Sequence, residues 1–265
     1  MNNFLFVLFQ WLKRDFLSKY RGSWLGLFWP IIQPLAQVAV FTLIFYDFMS
    51  MRWPVERGAE LLPVSQSKFM YSLNMLAGLS VFNYFAEILG RAPVCIFSQP
   101  NLVTKVKFPV IIIPMVTVGT ALVHILVGCI AIWFASVILG VATLQALWLF
   151  LWIIPLVVYG FAIAVVLASL GVYVRDLVQI MPAFTSLLMF LTPIFYPMTV
   201  VNESLQWIFL LNPLTWAVES FREIVLLGLP LNIIDWIFQI CVASVMAVIS
   251  YLAFRRLRLG FGDVL

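Results

Sequence analysis

Few side chains in this sequence can do chemistry, and they lie far apart. His124 is the single histidine, so any metal centre or acid–base scheme that needs two is excluded. Cys95, Cys129 and Cys241 are scattered, odd in number and without a C-x-x-C pair, so they read as small apolar side chains rather than a disulfide framework or metal site. The sequence has no G-x-x-x-x-G-K-[ST] phosphate loop, no H-E-x-x-H and no G-x-S-x-G. Glu87 is the only acid set well inside an apolar stretch. Arg91 follows it by four residues, one helical turn, and the two read as a structural ion pair in preference to a proton-coupling site. What remains is electrostatics: Lys13, Arg14, Asp15, Lys19 and Arg21 crowd in front of a long apolar run.

The elements that hold these charges are membrane helices. Hydrophobic residues make up 64% of 265, charged residues 10%, and mean hydropathy is +1.10. Soluble domains are nearer half apolar and a quarter charged. A crossing needs about 20 mostly apolar residues, and six segments qualify: 24–46, 69–90, 110–139, 146–172, 178–198 and 232–254. The expectation is an all-α integral membrane domain over 1–265 with six transmembrane helices. Placing both termini in the cytoplasm leaves only Arg52, Arg57, Lys68 and Arg222 outside, of 15 Lys and Arg, as the positive-inside rule requires. Residues 199–231 are apolar, but Glu203, Glu219, Arg222 and Glu223 interrupt them and Pro213 breaks them. A single crossing there would put Arg255, Arg256 and Arg258 on the wrong side. The segment is therefore expected to form two short re-entrant helices with Asn212-Pro213 between them, a gate or pore mouth on the outer side.

Three features suggest docking at the cytoplasmic face. Residues 4–21 form an interfacial helix whose second half sets Lys13, Arg14 and Lys19 away from Trp11, Phe16 and Tyr20; the plainer reading is a membrane anchor. In the segment 95–107, Ser98, Gln99, Pro100, Asn101 and Leu102 can start a short helix before Lys105 and Lys107. Arg175-Asp176 marks the turn into the fifth span; both of these also read as solvated, orientation-setting charge. Gly22 and Gly26 make a G-x-x-x-G, which is either a close-packing face or a turn that ends the preceding helix. Among 24 phenylalanines, 10 tryptophans and 8 tyrosines, many, Trp24 and Trp148 among them, fit an interfacial belt. Phe82, Tyr84, Phe85, Tyr159, Phe195, Tyr196 and Trp216 lie deeper or along polar faces. They are packing residues or the lining of a pore, where flat rings stack on sugars.

The run "RDFLSKYRGSWLGLFWPIIQPL" resembles the opening segment of the ABC-2 type permeases that export cell-surface polysaccharides, in Arg14, Asp15, Tyr20, Arg21, Gly22, Ser23, Leu25, Gly26, Trp29 and Pro34. "NLVTKVKFPVIIIP" is similar to the coupling segment of that family, and "YVRDLVQIMPAFTSLLMFLTPIFYP" to its fourth loop and fifth span. "LNPLTWAVESFREIVLLG" looks like its outer gate helices, and "FRRLRLGFGDVL" like its C-terminus. The R-G-S-x-L-G run and the ending lean toward O-antigen exporters over capsule or teichoic-acid exporters.

The resemblance implies a transport subunit without its own ATPase site or cofactor. It implies a homodimer clasped by two ABC ATPase subunits that carry ATP and magnesium, working in a bacterial inner membrane on a lipid-linked polysaccharide, with no nucleic acid. It implies that Asn101 and its neighbours occupy the ATPase cleft, with Arg175 and Asp176 as a second contact. Arg14, Lys19 and Arg21, at headgroup height, become candidates for recognising a polyprenyl diphosphate. Asn212, Pro213, Trp216, Glu219 and Arg222 become parts of the outer gate. Two other classes stand beside this reading. A membrane-embedded enzyme would need a reactive constellation that isolated His124 does not supply, and a passive channel or assembly scaffold would need no ATPase.

Overall fold

The computed structural model describes residues 2–51, 64–104, 108–138 and 144–264; Lys105 and Lys107 lie outside them. No strand occurs among the described residues. The helices are α1 (Asn2–Tyr20), α2 (Trp29–Thr42), α3 (Val64–Cys95), the short α4 (Pro100–Thr104), α5 (Ile112–Ile138), α6 (Leu149–Tyr173), α7 (Leu177–Phe190), α8 (Glu203–Leu210), α9 (Pro213–Val225), α10 (Ile233–Leu257) and the short α11 (Phe261–Val264). Between α1 and α2, Gly22 has φ +83° and Gly26 φ +48°, and a Cβ on either would meet nothing within 4 Å. Both are turn glycines that end one helix and redirect the chain, not a packing face.

Five described stretches are long and apolar enough to cross a membrane: Trp29–Phe48, Lys68–Cys95, Ile112–Ile138, Leu144–Tyr173 and Ile233–Val264. α3 is the central post. Tyr71, Met75, Leu79, Tyr84, Phe85 and Ile88 along it are all buried, and α2, α5, α6, α7 and α9 pack around it. The outer helices keep apolar side chains exposed, such as Ile130, Phe134, Phe238 and Ile249, which is the surface a lipid solvent calls for.

The expected span 178–198 differs in detail. Its helix ends at Phe190, and 14 residues rise only about 21 Å at about 1.5 Å each, short of the ~30 Å hydrocarbon core. Residues 191–196 continue as irregular backbone with Thr192, Pro193, Ile194 and Phe195 buried. Pro193 cannot supply the N–H a continuing helix needs. Irregular backbone at such depth survives only where protein satisfies its polar groups. The way those groups are satisfied defines one of the two polar clusters.

Candidate functional site

The first cluster lies where α9 meets the broken end of α7, and it holds six consecutive carbonyls. Phe190 O accepts from Tyr196 Oη at 2.6 Å, and Leu191 O from Asn212 Nδ2 at 3.1 Å. Thr192 O accepts from the N–H of Ile194 at 2.7 Å. Pro193 O and Ile194 O accept from Arg222 at 2.6 and 3.0 Å, and Phe195 O from Tyr71 Oη at 3.0 Å. Arg222, only 3% exposed, also donates through Nε and Nη2 to Asn74 O of α3 and through Nη1 to Glu219 at 2.9 Å. A planar guanidinium with five donors spread over three nitrogens can make all five of these bonds at once, where an ammonium has three donors on a single nitrogen. Gly78 leaves the room: a Cβ there would stand 3.0 Å from Arg222 Nη2 and 3.2 Å from Ile194 Cα. Asn212 has a second task as the cap of α9, accepting from the N–H of Leu214 at 3.0 Å while Pro213 fills the first helical position.

The second cluster ties α1 to α3 and α5. Asp15 accepts from Arg91 at 2.8 and 2.6 Å and from Thr120 Oγ1 at 2.8 Å. Glu87 Oε1 accepts from Lys19 at 2.9 Å and from Arg91 at 3.1 Å. His124 Nδ1 bonds to Glu87 Oε2 and its Nε2 to Tyr20 Oη at 2.6 Å. One neutral tautomer satisfies both histidine bonds, with Nδ1–H donating to Glu87 and Nε2 accepting from Tyr20. The two carboxylates, Asp15 and Glu87, face two cations, Lys19 and Arg91, the pairing that ionic groups at the edge of an apolar bundle call for. Burial pushes the Tyr20 hydroxyl up to about 12, with Glu87 adding to the rise and Arg91 opposing it.

The clusters sit on opposite ends of the bundle. Asn74 and Glu87 on α3 are 13 residues apart, about 20 Å along a helix. The α1 end also gathers α4, α11 and the turn at Arg175 and Asp176. Tyr173 Oη donates to Leu257 O at 2.6 Å, and Phe261 packs on Phe254 and Tyr173. A cavity of about 520 Å³ opens there, with Arg14, Asp15, Ser18, Arg21, Arg91, Ser98 and Gln99 in its wall. Of the three cations nominated for a diphosphate, Arg14 and Arg21 reach this cavity, Arg14 also lying 3.9 Å over the Trp11 ring. Lys19 instead bonds to Glu87 and faces a smaller cavity of about 360 Å³ with His124, Asn83 and Gln33.

Asn101 is exposed on α4, with Leu102 part-buried beside it, and Thr104 Oγ1 bonds back to Pro100 O. Asp176 O accepts the N–H groups of Gln179 and Ile180 at the start of α7, and both Arg175 and Asp176 are exposed.

The nominated aromatics are interior to this single chain. Phe82, Tyr84, Phe85, Tyr159 and Phe195 are buried. Tyr84 Oη donates to Leu156 O, Tyr159 Oη to Gln239, and Phe195 stacks on Phe45. Tyr196 and Trp216 are half-buried. Sequence reasoning passed over Thr120, Tyr71 and Asn74, and it did not connect Asp15 to Arg91. These partners are between 76 and 148 residues apart along the chain, so no local spacing signals them.

Comparison with known proteins now gives the arrangement a family. The ABC-2 type transporter family profile matches residues 7–226. An O-antigen export system permease protein RfbA of Klebsiella pneumoniae is 24% identical over 259 residues, 96% of this chain and 92% of the relative. The protein of that name from Myxococcus xanthus is 27% identical over 225 residues, 82% of this chain and 79% of the relative. A second Klebsiella pneumoniae RfbA is 23% identical over 258 residues. The matched stretch contains both polar clusters and all the helices from α2 to α9, so this multi-pass membrane chain belongs to the ABC-2 type transporter family.

Proposed function

We propose that this chain is the membrane-spanning permease of an ABC transporter that exports a lipid-linked cell-surface polysaccharide of the O-antigen kind. The observation that carries this reading is the similarity, over 82–96% of this chain, to three proteins named O-antigen export permeases. Capsular polysaccharide and teichoic-acid export remain alternatives within the same mechanism. The polar clusters give the reading a physical form. The α1 end, rich in Lys and Arg, faces the cytoplasm by the positive-inside rule, and both termini lie on that side of the bacterial inner membrane.

There a separate ATPase subunit, carrying ATP and magnesium, docks on α4 around Ser98–Leu102 and on Arg175 and Asp176. Arg14 and Arg21, in the wall of the 520 Å³ cavity, supply the cationic donors for a diphosphate headgroup, and Lys19 holds α1 in place through Glu87. Two copies of the chain form the conduit. At the outer face, Asn212, Pro213, Trp216, Glu219 and Arg222 hold the mouth shut until ATP binding moves the helices.

The test is surface glycan in cells from which this chain has been deleted. The glycan is expected to disappear from the surface and accumulate inside on its lipid carrier. Wild type should restore export, and Arg14→Ala with Arg21→Ala should not. Unchanged surface glycan in the deletion overturns the reading and favours a channel or scaffold.

A further inference from the structure

We infer that the cavity between α8, α9 and α10 is a saccharide-binding subsite at the mouth, an inference that rests on the transport reading. The cavity holds about 590 Å³, and Gln206, Thr215, Trp216, Glu219, Asp235 and Gln239 stand in its wall, with Phe238 at its rim. It lies beside the Arg222 cluster, at the end of the bundle away from α1.

The hydrogen-bonding inventory of that wall selects the ligand. Gln206 gives its nitrogen to Val201 O at 3.2 Å, which leaves the amide oxygen as an acceptor. Gln239 accepts from Tyr159 Oη at 2.8 Å, which leaves its nitrogen as a donor. Asp235 takes Asn232 on one oxygen and Glu219 takes Arg222 on one oxygen, so each carboxylate keeps a second oxygen. Thr215, 4% exposed, contributes the only buried side-chain polar atom without a partner among the described residues. Buried hydroxyls are almost always partnered, and a group entering the cavity is the partner this wall lacks.

An anion is excluded, because it would meet two carboxylates while Arg222, the nearby cation, is taken up by carbonyls and Glu219. An ammonium headgroup would suit the carboxylates but would leave the Gln239 donor unused. A pyranose matches the whole set. Its hydroxyls donate to Glu219, Asp235 and Gln206, accept from Gln239 and pair with Thr215 Oγ1, and its C–H face covers the Trp216 indole. Glu219 also bridges the cavity to Arg222, so a sugar seated there touches the group that holds the irregular segment 191–196.

The experiment uses the full chain with its ATPase in cells that make the glycan, carrying Phe238→p-benzoylphenylalanine. Irradiation is expected to attach a ladder of adducts spaced by the sugar repeat and sensitive to periodate. Adding Thr215→Val should reduce that ladder at least threefold. The same change removes an unpartnered buried hydroxyl and so should leave the thermal midpoint unchanged or raise it, an outcome that misfolding cannot mimic. A single adduct of phospholipid mass, no adduct, or a ladder indifferent to Thr215→Val overturns the subsite. Glycan-stimulated ATP turnover of the unsubstituted complex separates the two failures. Turnover without a ladder sinks the subsite alone, and absent turnover sinks the transport reading beneath it.

Discussion

The two ends of α3 solve the same problem with opposite chemistry. At Asn74 a single buried cation is surrounded by backbone carbonyls, with one carboxylate alongside. At Glu87 and Arg91, charges meet charges, and every partner is a side chain. The first arrangement repairs backbone that the sequence has deliberately broken, so it is part of the fold. The second fastens one surface helix to two others, with Arg91 and Asp15 still 34% and 29% exposed, so water and salt reach it. The first is a clamp built into one stretch of backbone, and the second a fastening between helices.

The largest effect should follow from Arg222→Met. It leaves the buried carbonyls of Pro193 and Ile194 without donors, strips the side-chain donor from Asn74 O and leaves Glu219 without its partner, a loss expected to be about 3–5 kcal/mol, read as a collapse of the thermal midpoint in detergent. Arg222→Lys should recover only part of it, because an ammonium cannot fork across Pro193, Ile194 and Asn74. A Lys variant as stable as wild type would show that charge, not geometry, holds the break.

Arg91→Ala should cost less, about 1–3 kcal/mol, and locally. Hydrogen exchange should rise in α1 while α3 and α6 stay protected. Salt of about 1 M should imitate that loosening through screening and leave the Arg222 cluster untouched. If both ends respond equally to salt, the contrast between them is wrong.

Asn212→Ala removes the cap of α9 and one donor to Leu191 O, for a cost of about 1–2 kcal/mol. The smallest effect is alkaline. The Tyr20 hydroxyl is held up to about 12 against an ordinary 10.0, so the fold favours its protonated form. That contribution is intact below pH 10 and is lost as pH rises toward 12. Docking of α1, followed by exchange, should weaken across that window in wild type and less steeply in Tyr20→Phe, where only the Lys19–Glu87 pair is left to fail.

Hydropathy alone revealed the long helices, because burial in lipid leaves an uninterrupted signal in segments such as Ile112–Ile138. The Asn212-Pro213 break was legible for a local reason, since a cap followed by proline marks a helix start. Glu87 and Arg91 were legible because they are one turn apart on a single helix. Their further partners were not, because Asp15, Lys19, Thr120 and His124 come from two other helices and no spacing encodes that meeting. The early end of α7 was hidden too. Residues 191–196 are as apolar as a helix would be, and only the carbonyl partners supplied by Arg222, Tyr71 and Asn212 reveal why they need not be one.

The most direct measurement is ATP turnover by this chain and its ATPase in nanodiscs, with and without a polyprenyl-diphosphate glycan, beside a sample carrying Asn101→Ala. Turnover that rises with the glycan and falls in the variant is the predicted result. Turnover indifferent to both would contradict the account and leave a multi-pass membrane protein whose work is not energised export.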